Sequence, residues 1–117
     1  MTAAARADKS AVHSLLSDAS AASASIDALF AEAASSVRAI VSKDGKLSAG
    51  LIEREQHAAH GLSWLATYAE SIREMTHYAE RTLDEGRFGE TEELLTRVGL
   101  GEYLAQVFGG IPMNQGE

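Results

Sequence analysis

Apolar residues recur every three or four positions through most of this chain, which is the spacing of one face of an α-helix. The pattern predicts helices over residues 8–42, 48–85 and 91–108. The predicted core positions of the first two helices are Val12, Leu15, Ala19, Ala22, Ile26, Leu29, Ala33, Val37 and Ile40, then Ile52, Ala59, Leu62, Leu65, Ala69, Ile72, Ala79 and Leu83. Those of the third are Leu94, Leu95, Val98, Leu104, Val107 and Phe108. At about 1.5 Å per residue, the two long helices would each span about 50 Å and pair as an antiparallel hairpin.

Glycines mark where each predicted helix ends. Asp44-Gly45 ends the first helix, since glycine readily takes the left-handed conformation common at helix C-termini. Gly86 ends the second helix, Gly109-Gly110 ends the third, and Thr91 is the predicted N-cap of the third. One proline and few aromatic residues predict essentially no strands. We therefore expect an all-α fold, a small bundle of two long antiparallel helices plus a shorter third helix, in a single domain of residues 1–117.

The short third helix is not long enough to cover the whole hairpin. Apolar stripes are buried somewhere, so either the first helix frays or another polypeptide completes the layer. We expect the second, with the partner surface supplied by another part of the same polypeptide or by a neighbouring subunit of a homo-oligomer. The middle of the first helix is rich in alanine and serine, which lets a neighbouring helix approach closely.

The charge of the chain restricts its partners. The formal net charge is −7, and residues 51–117 carry five Lys/Arg against twelve Asp/Glu. Such a surface repels phosphates and anionic lipid headgroups, so neither nucleic acid nor membrane is an expected partner. There is no cysteine for a disulfide or a thiolate metal site. The first twenty residues have no apolar signal region and no run reaches the length of a membrane span, so the expected location is cytoplasmic.

Two groups of residues have the side chains that bind metals. Glu53, His57 and His60 fall on one helical face, but three ligands on one straight helix do not easily surround an ion. We expect instead that Glu53 pairs with His57 at the surface and that His60 hydrogen-bonds across the bundle. Glu74 and His77 form one Glu-x-x-His, half of the set that a carboxylate-bridged di-iron bundle needs. No metal site is expected.

Three glycines inside helical patterns also need an explanation. Gly99 and Gly101 each cost up to about 1 kcal/mol relative to alanine. They indicate either the close approach of another backbone or ligand, or a local bend or a break between two shorter helices, and spacing leaves both open. Gly61 is expected at a helix crossing, with Trp64 and Tyr68 as bulky anchors in the core.

No pattern of a catalytic site is present in the sequence. The serines are abundant, but none lies in a Gly-x-Ser-x-Gly turn. Gly109-Gly110 follows a helix, whereas a phosphate-binding glycine loop precedes one. We therefore predict no catalytic, cofactor-binding or metal-binding residue in this chain.

Two segments carry a family resemblance: HAAHGLSWLATYAESIREMTHY, residues 57–78, and GRFGETEELLTRVGLGEYLAQVFGGIPMNQGE, residues 86–117. They resemble the N-terminal helical extension of the methylsuccinyl-CoA dehydrogenase-like branch of the acyl-CoA dehydrogenases. The resemblance covers just under half of the chain, and GEYLAQVFGGIPMNQGE is its most distinctive part.

This resemblance implies an FAD-dependent parent enzyme that removes hydrogens from Cα and Cβ of a CoA thioester, with a glutamate base and the flavin as hydride acceptor. The residues for that chemistry would lie beyond Glu117, so the chain is expected to be a docking or assembly region without catalytic residues or cofactor. The alternative is a free-standing helical interaction or homodimerisation module. A metal-binding bundle built on the histidines ranks last.

Overall fold

The computed structural model describes residues 9–111. They form helix α1 over Lys9–Val41, strands β1 over Ser42–Lys43 and β2 over Lys46–Leu47, and helices α2 over Ala49–Arg54, α3 over Gln56–Asp84 and α4 over Glu90–Phe108. The predicted all-α bundle is confirmed. The expected start of the first helix at Asp8 and the residues that follow Ile111 lie outside the described part of the chain.

A short hairpin of two two-residue strands joins α1 to α2, and among the described residues the prediction of essentially no strands is otherwise confirmed. β1 and β2 pair antiparallel, with Ser42 opposite Leu47. Asp44 and Gly45, at the tip, have φ values of 54° and 77°. Two consecutive positive φ values define a type I′ turn, and its twist matches that of the flanking strands. Asp44-Gly45 therefore forms the turn that connects the helices, whereas α1 itself already ends at Val41 and not at this pair.

The predicted second helix is divided in two at Glu55. Ser48 caps α2, since its Oγ accepts the N–H of Leu51 at 3.3 Å. Glu55 then leaves helical geometry, with φ −103° and ψ 30°, before α3 begins. The single helix over residues 48–85 is therefore wrong as one element, although both of its pieces are helical.

Glycines end α3 and α4 in the same way. Gly86 has φ 71°, its N–H donates to Leu83 O at 3.0 Å, and the N–H of Arg87 donates to Thr82 O at 2.8 Å. Gly110 has φ 85° and its end of α4 shows the same pair of bonds, at 3.3 and 3.0 Å. This is the Schellman arrangement, in which a left-handed glycine satisfies the last free carbonyls of a helix. The predicted helix ends at these two glycines are confirmed.

The core lies between α1, α3 and α4, and α3 packs against both of the other helices. Ile72 is 0% exposed at its centre. The predicted core positions that the structure buries in the two long predicted helices are Val12, Leu15, Ala19, Ile26, Leu65, Ala69, Ile72 and Ala79. Four others are wrong, because Leu29, Ile40, Ile52 and Leu83 are exposed. No helix of the described residues is both long enough and apolar enough to cross a membrane.

A polar contact also ties α1 to α3. Arg73 Nη2 lies 2.6 Å from Asp27 Oδ1, and Arg73 also pairs with Glu70 on its own helix. The hydrogen bond to Asp27 raises the pKa of the Arg73 guanidinium above its usual value. The three side chains are all partly open to solvent, so the network fixes the helix pairing more than it stabilises the fold.

Candidate interaction surface

Helix α4 has apolar residues on the face that packs against the bundle and on the face that is open to solvent. Thr96 and Leu100 are its buried residues, with Tyr103, Leu104 and Val107 half-buried beside them. Among the six predicted core positions of this helix, four are wrong because they are exposed: Leu94, Leu95, Val98 and Phe108. The helix therefore packs against the bundle through Leu100 and its half-buried neighbours, while four large apolar side chains stay exposed.

The exposed residues of α4 form a continuous line. Leu94, Val98, Gly101, Ala105 and Phe108 follow each other at intervals of four, three, four and three residues, and all five are exposed. Residues at this spacing lie above one another on one face of a helix. We call these five residues the outer stripe. Val98 is 69% exposed and Phe108 87% exposed, so the stripe is open at its middle and at its end.

The two glycines of α4 have different environments. A Cβ built on Gly99 would overlap Met75 Sδ of α3 and lie 3.3 Å from Met75 Cε. A Cβ on Gly101 would meet nothing within 4 Å. The helix runs unbroken through both residues, so the alternative of a break between two shorter helices is wrong. Gly99 instead allows a close approach, by a side chain of α3, whereas Gly101 faces outward on the outer stripe.

A second exposed apolar group lies at the far end of the bundle. Ile40 of α1, Leu47 of β2 and Ile52 of α2 are all exposed around the hairpin. This is the end that the sequence predicts α4 to leave without a cover. The uncovered apolar surface is therefore present, but its larger and more regular part is on α4.

The residues considered for metal binding are not brought together. The break at Glu55 separates Glu53 from His57, and no ion pair joins them among the described residues. His60 accepts the Nε1–H of Trp64 at 3.0 Å, so the bond expected across the bundle is made within α3 instead. Within residues 9–111 no group of three His, Cys, Asp or Glu is placed to hold a metal ion. Glu74 and His77 both face solvent on α3.

The aromatic anchors are only partly as predicted. Tyr68 is buried, and its ring centroid lies 5.5 Å from that of Tyr103 on α4. Trp64 lies 5.8 Å from Tyr68 between ring centroids but is only half-buried. Placing Trp64 in the core is therefore wrong, because its indole lies at the edge, where His60 satisfies its N–H.

The groove beside the end of α4 has few of the polar groups that a flavin cofactor needs. An open groove of about 280 Å³ lies between α1 and α3 beside the end of α4, with Gly61 on its wall and His57 as its one polar side chain. A dinucleotide also needs donors for its phosphates, and helix N-termini commonly supply them. The N-terminus of α4 instead carries Glu90, Glu92 and Glu93, and Glu92 Oε2 takes the N–H of Gly89 at 3.0 Å. Gly89 is thus the N-cap, and the predicted cap at Thr91 is wrong.

No known family profile matches this sequence. A comparison with characterised proteins finds a (2S)-methylsuccinyl-CoA dehydrogenase from Cereibacter sphaeroides, 53% identical over 103 residues, which is 88% of this chain. The expected resemblance is confirmed. The aligned part is longer than the two segments that carry the resemblance, so it also takes in residues that the sequence pattern alone left generic.

The chain spans 19% of the length of that relative. About four-fifths of the relative therefore has no counterpart in these residues. The feature of these residues that bears on the longer protein is the exposed apolar surface of α4.

Proposed function

We propose that this chain is an N-terminal helical docking and assembly region of an FAD-dependent acyl-CoA dehydrogenase. The parent reaction would be the α,β-dehydrogenation of a CoA thioester of the methylsuccinyl-CoA type, carried out by residues outside this chain. The observation that carries the proposal is the 53% identity to a relative of which this chain spans only 19%. The expected cytoplasmic location, the homo-oligomeric state and the bound FAD of the parent stay predictions.

The docking role is supported by where the apolar residues lie. Exposed large apolar side chains are concentrated on α4, with a second group at the hairpin. Burying apolar surface is the main favourable contribution to most protein associations. A region that holds its own core and keeps an ordered apolar helix face in solvent is suited to dock on a second surface.

Removing the matched segment from the Cereibacter sphaeroides enzyme tests this role. We expect the shortened enzyme to lose subunit assembly or thermal stability, measured by light scattering on a sizing column and by melting. Replacing the segment with this chain should restore both. If the shortened enzyme assembles and melts like the intact one, the docking role is wrong.

The isolated chain tests where the cofactor lies. We expect purified protein to be helical and colourless. A visible flavin absorption band in the isolated chain would contradict the placement of the cofactor outside it. A stable dimer of the isolated chain would favour the alternative of a free-standing homodimerisation module.

A further inference from the structure

We infer that the outer stripe of α4 is the face that docks, and that its occupant is the remaining part of the acyl-CoA dehydrogenase polypeptide. This inference rests on the proposed function and names the contact surface. Large side chains stand at Leu94, Val98 and Phe108, while Gly101 and Ala105 between them are small and exposed. The stripe therefore has a shallow depression near its middle, into which an apolar ridge of another element can fit.

The size of the stripe argues against a second copy of this chain as the occupant. From Leu94 to Phe108 the stripe is about 20 Å long, and a helix is about 10 Å wide, so it offers roughly 200 Å². A stable pair of separate proteins commonly buries about 800 Å² per partner. A part of the same polypeptide needs far less area, because the connecting chain supplies an effective concentration in the millimolar range.

The charges beside the stripe indicate the chemistry of its partner. Glu90 and Glu102 are exposed along its edges. Arg97, the basic residue beside the stripe, is engaged by Glu93 of the same helix at 3.0 Å. The edges are therefore acidic overall, and opposite charges around a contact fix its register. We expect an apolar ridge bordered by lysine or arginine on the facing surface.

Thiol labelling locates the covered face, because this chain has no cysteine of its own. Val98→Cys is placed in the isolated chain and in the Cereibacter sphaeroides enzyme whose matched segment this chain replaces. Leu47→Cys, 66% exposed on the hairpin, is the matched control in both proteins. We expect the rate of labelling at position 98 to fall at least about tenfold in the full-length protein, while position 47 changes less than about twofold.

A second substitution tests the depression itself. Gly101→Leu fills it, and since leucine is a better helix former than glycine, the variant does not weaken α4. In the full-length protein, Gly101→Leu should restore the labelling of Val98→Cys to the rate in the isolated chain. Position 98 labelled equally fast in both proteins, in a full-length enzyme that still assembles, would overturn this inference and leave the docking role intact. Protection of position 98 in the isolated chain that disappears on dilution would also overturn it, because the occupant would then be a second copy.

Discussion

The two glycines of α4 provide a matched pair for testing how closely α3 and α4 pack. In an exposed helix, replacing glycine by alanine stabilises the fold by about 0.5–1 kcal/mol, because the unfolded chain loses freedom. Gly101 has open space where a Cβ would stand. Gly101→Ala should therefore raise the free energy of unfolding by about that amount.

Gly99→Ala gains the same free energy from the higher helix propensity of alanine, but its new methyl group contacts Met75. The new Cβ would overlap Met75 Sδ, so the thioether must move. Forcing extra volume into a packed site costs about 1–3 kcal/mol, and the flexible methionine side chain places this case at the low end. Gly99→Ala should therefore be about 1 kcal/mol less stable than Gly101→Ala.

Urea unfolding followed by circular dichroism at 222 nm measures both variants. The slope should stay constant, so that a shift of the midpoint reports stability alone. In a Met75→Ala background the obstacle is gone, and Gly99→Ala should then gain as much as Gly101→Ala. Equal stabilisation by the two alanines in the native background would show that α4 does not approach α3 as described, and would refute this reasoning.

Three further outcomes are expected. Ile72→Ala should cost about 2–5 kcal/mol in urea unfolding, because this side chain is 0% exposed at the centre of the core. Asp27→Asn should cost less than about 1 kcal/mol, and the cost should shrink in high salt, because its ion pair with Arg73 is partly solvated; a larger, salt-independent loss would contradict this. His60→Leu should change the fluorescence of Trp64 and leave the far-ultraviolet circular dichroism unchanged, since it removes the acceptor of the indole N–H; unchanged emission would contradict that bond.

The sequence pattern predicts the helices well where tertiary packing agrees with local preference. The stripe around Ile72 is buried as its period predicts, and Gly86 ends α3 because a left-handed residue is needed there. The break at Glu55 had no such signal, since glutamate is a good helix former. The hairpin did have a signal, because Asp-Gly favours a type I′ turn. Its strands are only two residues long, which is too short for an alternation of apolar and polar residues to be visible.

The sequence predicted an uncovered apolar surface but placed it at the far end of the hairpin, whereas its larger part lies on α4. The prediction came from helix lengths, because the third helix is too short to cover the two long ones. The exposed side chains of Ile40 and Leu47 agree with it. Which face of α4 turns inward could not be derived, because both faces carry apolar residues at helical spacing. Gly99 decides between them, since the smallest residue stands where the helix meets Met75. The residues of the outer stripe are spaced by four and three in the sequence, but Gly101 and Ala105 are too small to be counted as apolar core positions.

The orientation of α4 also connects its packing to its proposed role. Turning α4 so that Leu94, Leu95 and Val98 face the bundle would bury large apolar side chains, each gaining roughly 1.5–3 kcal/mol. It would also expose Leu100, Tyr103 and Leu104, which now pack in the core. The helix instead buries Thr96 and Leu100 and is held close to α3 by Gly99. Apolar side chains therefore lie on both faces of α4, and the bundle covers one of the two. Under the proposed role a second surface covers the outer stripe, and the labelling rate of Val98→Cys in the full-length protein measures whether this face is the one covered.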